Sequence, residues 1–295
     1  MKAALSLSDA ADLFRREPDR YLDVGAGEVA YRRVGTGPDV LFVHGWPVSS
    51  ATFRLLLPSF AEHLTCHLVD LPGSGSSRFE SRTPVTIGQH VSTVRRLLDL
   101  LEFDDVAVVG HDSGGMIARH AVTGDARLRA MGLIDTEQPA GLGWRFKMFL
   151  MARHVPGAAA ALGWVAGHRR LRRNRFVLGA AFADAALLDG EFDEFFLEPL
   201  HRIPARREAA IRTLRSFETR HVSALSELHG RIGVPVQLVW GEGDPFFPVK
   251  KAREMVATFP DATLAVIEGA GLFSHEERPA QVAEALLPFL LAPRR

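Results

Sequence analysis

The segment Gly-His-Asp-Ser-Gly-Gly, which starts at position 110, offers two side chains that could attack an electrophile: the carboxyl of Asp112 and the hydroxyl of Ser113. An apolar run precedes this segment and a helical pattern follows it. A strand that turns sharply into a helix presents one side chain at the turn and tolerates only small residues two positions to either side. Around Asp112 these are Gly110 and Gly114, whereas around Ser113 one of them is His111. The spacing favours Asp112 as the nucleophile and leaves Ser113 as the alternative.

Short apolar runs that alternate with helical patterns predict the elements that position this turn. The predicted strands lie at 40–43, 66–69, 106–109, 131–134, 236–240 and 264–267, and the predicted helices at 87–101, 114–122, 249–259 and 280–291. Apolar strands separated by helices indicate a mostly parallel sheet covered on both faces, an α/β fold. The chain from 139 to 216 lacks strand patterns. We therefore expect a discontinuous core, 1–138 and 217–295, with an inserted all-helical cap at 139–216.

Composition excludes several classes of protein. The chain has 295 residues with 35 basic and 35 acidic side chains, so no net field attracts nucleic acid. Its single cysteine excludes an intramolecular disulfide framework and a multi-cysteine metal site. The sequence has no apolar stretch that is long enough for a membrane span. We expect a cytoplasmic monomer or homodimer that needs no cofactor and takes a small apolar organic substrate or ligand, with no nucleic-acid or membrane partner.

Four further motifs give the chain a family resemblance. They read HGWP at 44–47, DLPGSGSS at 70–77, VWGEGDPFFP at 239–248 and GAGLFSHEERP at 269–279. Together with the segment at 110–115, and in this order, they resemble the α/β-hydrolase family, within it the aspartate-nucleophile branch of haloalkane dehalogenases, haloacetate dehalogenases and epoxide hydrolases. The resemblance covers nearly the whole chain. It implies an α/β-hydrolase fold with a helical cap.

The resemblance also implies a chemistry. A carboxylate, ionised at neutral pH because a free aspartate has a pKa of about 4, can displace halide from carbon or open an epoxide and form an alkyl-enzyme ester. The resemblance implies that the backbone N–H groups of Trp46 and Ser113 form the oxyanion hole. It further implies that Asp244, or alternatively Asp135, is the acid that partners a catalytic histidine. Glu137 is a weaker third option and is expected to be a solvated loop carboxylate.

The chain departs from the family pattern at the position of the water-activating base. The family has a histidine directly after the glycine of the last motif, where this chain has Leu272. Leucine cannot accept a proton, so the base is missing or rearranged. His275, three residues on, could replace it, since positions three apart on a helical turn share a face. The alternative for His275 is a structural role.

The specialised subfamilies are also incompletely matched. The only tyrosines, Tyr21 and Tyr31, precede the first motif, so the cap lacks the tyrosines with which epoxide hydrolases of this fold hold the epoxide oxygen. Ser113 stands where haloalkane dehalogenases have a tryptophan and haloacetate dehalogenases an arginine. The residues we expect around the substrate are His44, His111, Leu272, Trp144 and Trp164. Two further readings stay open: a non-hydrolytic or ligand-binding member of the fold, and a serine esterase using Ser113.

Overall fold

The computed structural model describes residues 4–293 and places eight strands in one sheet. The strand order is β1-β2-β4-β3-β5-β6-β7-β8, in which β2 runs antiparallel to both of its neighbours and all other pairs are parallel. This confirms the mostly parallel sheet. The strands are β1 Arg20–Asp23, β2 Glu28–Gly35, β3 Asp39–Val43, β4 Thr65–Val69, β5 Val106–His111, β6 Leu128–Ile134, β7 Val236–Gly241 and β8 Ala262–Ile267.

Helices cover both faces of the sheet. The core helices are α1 Leu7–Arg15, α2 Leu57–Phe60, α3 Ile87–Leu100, α4 Ser113–Val122, α12 Val249–Val256, α13 Ser274–Glu277 and α14 Pro279–Leu291. Successive residues of a strand face opposite sides of a sheet. In β3, Leu41 and Val43 accordingly belong to one hydrophobic cluster, and Val40 and Phe42 belong to the other. The strand runs are continuously apolar because the sheet is buried on both sides.

The chain between β6 and β7 is largely helical and is called the cap below. It contains α5 Trp144–Ala152, α6 Ala158–Gly167, α7 Arg169–Arg172, α8 Glu198–Arg202, α9 Pro204–Arg215, α10 Thr219–Ser223 and α11 Leu225–Gly230, with short 3₁₀ and π turns between them. The fold class is thus the expected one. The domain boundaries at 138/139 and 216/217 stay a prediction. Among the helices described, none has the length and apolar character to cross a membrane.

Candidate active site

The sharp turn between β5 and α4 falls on Asp112, whose φ of 49° and ψ of −134° are strained for a residue with a side chain. A Cβ atom at position 114 would lie 2.2 Å from the carbonyl oxygen of Val43, and one at position 110 would lie 2.5 Å from the Cα of Gly115. The backbone therefore needs glycine at both positions. Ser113 is already the first residue of α4.

Two backbone N–H groups hold the carboxylate of Asp112. The N–H of Trp46 donates to Oδ2 at 2.9 Å, and the N–H of Ser113 also hydrogen-bonds the carboxylate. Asp112 caps the N-terminus of α4, whose dipole favours negative charge. Burial raises the pKa of Asp112 to about 6, while these hydrogen bonds favour its ionised form. The carboxylate is therefore the main form near neutral pH.

Asp112 faces a cavity of about 530 Å³ between the core and the cap. The wall also includes Trp46, Ser113, Glu137 and Leu272. Most of the remaining wall is apolar, and its aromatic part consists of Trp144, Phe146, Phe149, Phe176, Phe217, Phe246, Phe247 and Phe273. Of the described residues that line this cavity, none is a histidine. Apart from the groups around Asp112, the polar residues of the wall are Arg145, Arg153 and Thr213, so most of the surface suits a small apolar molecule.

Comparison with known families now decides the assignment. The model of the Alpha/beta hydrolase family matches residues 40–285, which is most of the chain. The chain belongs to the alpha/beta hydrolase family.

Relatives of this alpha/beta hydrolase include two whose names state an activity. It is 26% identical over 280 residues to the soluble epoxide hydrolase of Corynebacterium sp. (strain C12), covering 90% of this chain and 94% of that one. It is 27% identical over 278 residues to haloalkane dehalogenase 2 of Mycobacterium tuberculosis, covering 91% and 93%.

Solved structures match the fold. An alpha/beta hydrolase fold protein from Burkholderia ambifaria superposes with a TM-score of 0.77 at 22% identity, over 92% of this chain and 98% of that one. The epoxide hydrolase CorEH gives a TM-score of 0.76 at 20% identity, over 92% and 97%.

His275 of this alpha/beta hydrolase is fully buried and lines neither of the two main cavities. Its Nε2 lies 2.7 Å from the hydroxyl of Thr52, and its Nδ1 has no hydrogen-bond partner among the described residues. Burial lowers its pKa well below the usual value, and nearby His111 and Arg54 lower it further. The structure thus brings Leu272, and not His275, to the cavity wall beside Asp112.

The other two expected pocket histidines lie outside the apolar cavity. His111 is fully buried, its ring centroid is 4.4 Å from that of His275, and its Nε2 donates to the backbone carbonyl of Leu272 at 3.0 Å. His44 lines a second cavity of about 540 Å³, where Nδ1 donates to the carbonyl of Gly45 and Nε2 accepts from the N–H of Leu71. Both rings hold loops of the site in place and do not face the substrate space.

The two candidate acids are buried carboxyls with different partners. Oδ1 of Asp244 accepts from the N–H groups of Phe246 and Phe247, and its Oδ2 has no partner among residues 4–293. Oδ1 of Asp135 accepts from the N–H of Gly241, and its Oδ2 accepts from the Ser274 hydroxyl at 2.5 Å. Burial raises the pKa of Asp244 to about 8 and that of Asp135 well above its usual value. In the described chain, no histidine hydrogen-bonds either carboxyl.

Glu137 is the site residue that sequence reasoning undervalued. It is fully buried in the cavity wall, so its expected identity as a solvated loop carboxylate is wrong. The reason is that β6 ends at Ile134, directly beside the Asp112 turn, and the next residues pack on α4, where Arg119 donates to the carbonyl of Glu137 at 2.9 Å. Burial raises the pKa of Glu137 to about 8, and the charge of Asp112 adds to that shift.

The three tryptophans predicted at the site, Trp46, Trp144 and Trp164, have different surroundings. The indole N–H of Trp46 donates to the carbonyl of Ala210 at 2.8 Å, so it is not free to hold a halide. Trp144, expected around the substrate, lines the cavity and is 63% exposed. Trp164, also expected in the pocket, is 55% exposed and outside the cavity wall, because its ring packs on His168.

Two further points bear on what the site can bind. Within residues 4–293, no group of three or more histidine, cysteine, aspartate or glutamate side chains is arranged to hold a metal ion. The two tyrosines lie in β1 and β2, where Tyr21 donates to Glu17 and the Tyr31 hydroxyl pairs with His67. Neither tyrosine lines the cavity of Asp112.

Proposed function

We propose that this alpha/beta hydrolase uses Asp112 as a nucleophile on the electrophilic carbon of an epoxide or of a carbon–halogen bond. The product of the first step is an alkyl ester of Asp112, which water then hydrolyses. The substrate is a small apolar organic molecule, because the cavity of about 530 Å³ is lined mostly by aliphatic and aromatic side chains.

The observation that carries this proposal is the position of the Asp112 carboxylate. Its Oδ2 receives the Trp46 N–H at 2.9 Å, and the Ser113 N–H also reaches the carboxylate. In this arrangement Oδ1 is the attacking oxygen and Oδ2 becomes the carbonyl oxygen of the ester. When water adds to that ester, negative charge develops on Oδ2, to which the Trp46 N–H already donates.

The serine alternative finds less support. The hydroxyl of Ser113 hydrogen-bonds Asp112 Oδ2 at 3.3 Å, and no described histidine is within hydrogen-bonding distance of it. A serine hydroxyl is a weak nucleophile without an adjacent base. The names of the relatives do not separate the two nucleophiles, because they include a methyl ester esterase at 26% identity as well as an epoxide hydrolase and a haloalkane dehalogenase.

The experiment is intact-protein mass spectrometry after incubation with a terminal alkyl epoxide or with the matching primary alkyl bromide. We expect an adduct of the whole epoxide mass in the first case and of the alkyl group in the second, with slow release of diol or alcohol. The matched control is Asp112→Asn, which keeps the shape of the side chain and removes the nucleophile. A folded parent protein that gives neither adduct nor product contradicts the proposal.

A second candidate function is favoured by Leu272 in the wall beside Asp112. Without a histidine at the cavity, Asp112 could serve as a simple base or hydrogen-bond acceptor for a ligand that is bound, cyclised or isomerised without hydrolysis. Such a protein would form no covalent adduct with either reagent, so the same experiment separates the two functions.

A further inference from the structure

Two carboxyl groups share one apolar cavity, and only one of them is held in its ionised form. Asp112 receives two backbone N–H groups. Glu137 lies in the same wall, and none of the ion pairs found between described residues includes it. Its Oε1 is buried without a hydrogen-bond partner in the described chain. Burying an ionised carboxylate without a counter-ion and with an unpaired oxygen raises the free energy of the folded protein, so Glu137 is held as the neutral acid.

The Thr136 hydroxyl lies between the two carboxyl residues. It is 2.7 Å from the carbonyl oxygen of Asp112 and 3.0 Å from Oε2 of Glu137, and it accepts from Arg119 at 2.8 Å. The Asp112 carbonyl also accepts from the N–H of Gly115 at 2.9 Å. When the hydroxyl hydrogen points to Asp112, a neutral Glu137 can donate to the hydroxyl oxygen, so the geometry accommodates the neutral acid.

We propose that Glu137 is the proton-transferring catalytic residue of this site, giving a proton to the oxygen of an epoxide substrate and later taking one from the hydrolytic water. This inference rests on the proposed nucleophile Asp112 and narrows the substrate class to epoxides. Among the described residues, no tyrosine lines the cavity, so Glu137 would supply the proton donor. The described wall of the cavity has Leu272 and no histidine, so Glu137 would also supply the proton acceptor.

In the first step, Oδ1 of Asp112 forms a bond to an epoxide carbon while the bond from that carbon to the epoxide oxygen breaks. The oxygen takes the proton of Glu137. The products are a hydroxyalkyl ester on Asp112 and an ionised Glu137. An alkyl bromide reacts at the same carboxylate, but its leaving group is bromide, which needs no proton. Its reaction therefore does not depend on Glu137.

The second step restores both groups. Ionised Glu137 takes a proton from water as the water oxygen adds to the ester carbonyl carbon, and the negative charge moves to Oδ2, beside the N–H groups of Trp46 and Ser113. The intermediate collapses with cleavage of the bond between the carbonyl carbon and the alkoxy oxygen. The alkoxide takes the remaining proton of the new carboxyl group. A diol leaves, Asp112 is ionised again and Glu137 is again the neutral acid.

The ionisation of the two groups fits these roles. Burial raises the pKa of Asp112 to about 6 and that of Glu137 to about 8. Two carboxyls with separated pKa values can act as base and acid at the same pH. The charged groups that act on Glu137 are Asp112, which raises its pKa, and Arg119, which lowers it.

The test is Glu137→Gln, because glutamine has the size of the neutral acid and can donate to Thr136 but cannot transfer a proton. We expect epoxide adduct formation to slow by about 10²-fold or more, and alkyl bromide adduct formation to change by less than about threefold. The parent rate with epoxide should fall at pH above about 8, and the variant should lack this alkaline limb. A urea unfolding curve of the variant checks that it is folded, and Gln138→Met, which removes a hydrogen bond to Pro248 outside the cavity, is the neighbouring control.

The outcomes separate this inference from the proposed function. If the parent forms no adduct with either reagent, the proposed function fails and this inference fails with it. If the parent forms both adducts and Glu137→Gln behaves as the parent does, the inference is overturned while the nucleophile stands. If the variant slows both reagents equally, Glu137 has only a structural role, and the inference is again overturned.

Discussion

The backbone N–H of Trp46 donates a 2.9 Å hydrogen bond to Oδ2 of Asp112. The family resemblance places this N–H group in the oxyanion hole. In the structure it donates to the carboxylate of Asp112, the residue at the turn. A carboxylate in this position has one oxygen held and one free to attack, and the held oxygen is the one that carries charge during ester hydrolysis.

The pH dependence of alkylation should follow the ionisation of Asp112. Because burial raises the pKa of Asp112 to about 6, the carboxyl is protonated and unreactive below that pH and ionised above it. We expect the rate of alkyl bromide adduct formation to rise about tenfold for each pH unit below 6 and to level off above 7. Single-turnover mass spectrometry over this range measures it. A rate that is flat down to pH 4, or that keeps rising above pH 8, would be inconsistent with Asp112.

Replacement of Leu272 by histidine should speed the second step. Leu272 lines the cavity beside Asp112, and an imidazole with an ordinary pKa near 6.5 is mostly unprotonated at neutral pH, so it would supply a second proton acceptor. We expect Leu272→His to shorten the lifetime of the ester at least about tenfold, within the 10²–10⁴-fold range of general base catalysis. Decay of the adduct mass with time measures this, and Leu272→Gln controls for the change in polarity. An unchanged lifetime would mean that position 272 cannot reach the hydrolytic water.

His275 should prove to be a structural residue. Its Nε2 pairs with Thr52, its ring packs between Phe53 and His111, and it lines neither of the two main cavities. We expect His275→Gln to lower the free energy of unfolding by about 1–3 kcal/mol, as for a disturbed buried hydrogen bond, and to change the ester lifetime less than about threefold. Urea unfolding and adduct decay measure the two effects. Loss of ester hydrolysis in a stable variant would instead restore His275 as the base.

Asp244 should make the protein less stable as the pH rises. Its pKa is raised to about 8 by burial, whereas an unfolded aspartate has a pKa of about 3.9. Between these values the folded chain binds more protons than the unfolded chain, so stability falls with increasing pH. Asp244→Asn keeps the acceptor for Phe246 and Phe247 and removes the charge.

The free energy of unfolding of Asp244→Asn, taken relative to that of the parent, should therefore rise by at least about 1 kcal/mol when the pH is raised from about 5 to about 8. Urea unfolding of both proteins at the two pH values measures this difference. The charge of Asp244 also raises the pKa of Asp135, so its removal from Asp244→Asn changes the stability in the same direction. A difference that shrinks with rising pH would show that Asp244 is stabilised as the ion.

The sequence predicts the parallel core well because its strands are buried on both faces and read as continuous apolar runs. β3, predicted over 40–43, spans Asp39–Val43, and β6, predicted over 131–134, spans Leu128–Ile134. β1 and β2 were not predicted. They pair antiparallel at one edge of the sheet, and β2 contains Arg32 and Arg33, so the apolar pattern is interrupted there.

At the site, the sequence predicts what depends on local geometry. The glycines at 110 and 114 follow from the close approach of neighbouring backbone, which any such turn requires. The partners of His275 and Glu137 could not be predicted in this way. Thr52 and His275 are 223 positions apart, and Glu137 is buried beside Arg119, which donates to its carbonyl. Both facts depend on tertiary packing that no short pattern records.

The most direct test of the central claim is to locate the covalent adduct. The parent protein is trapped with a terminal alkyl epoxide, digested and sequenced by tandem mass spectrometry, with Asp112→Asn and Ser113→Ala treated in parallel. We predict that the added mass lies on Asp112, persists in Ser113→Ala and is absent from Asp112→Asn. An adduct on Ser113, or one that survives in Asp112→Asn, would contradict the account.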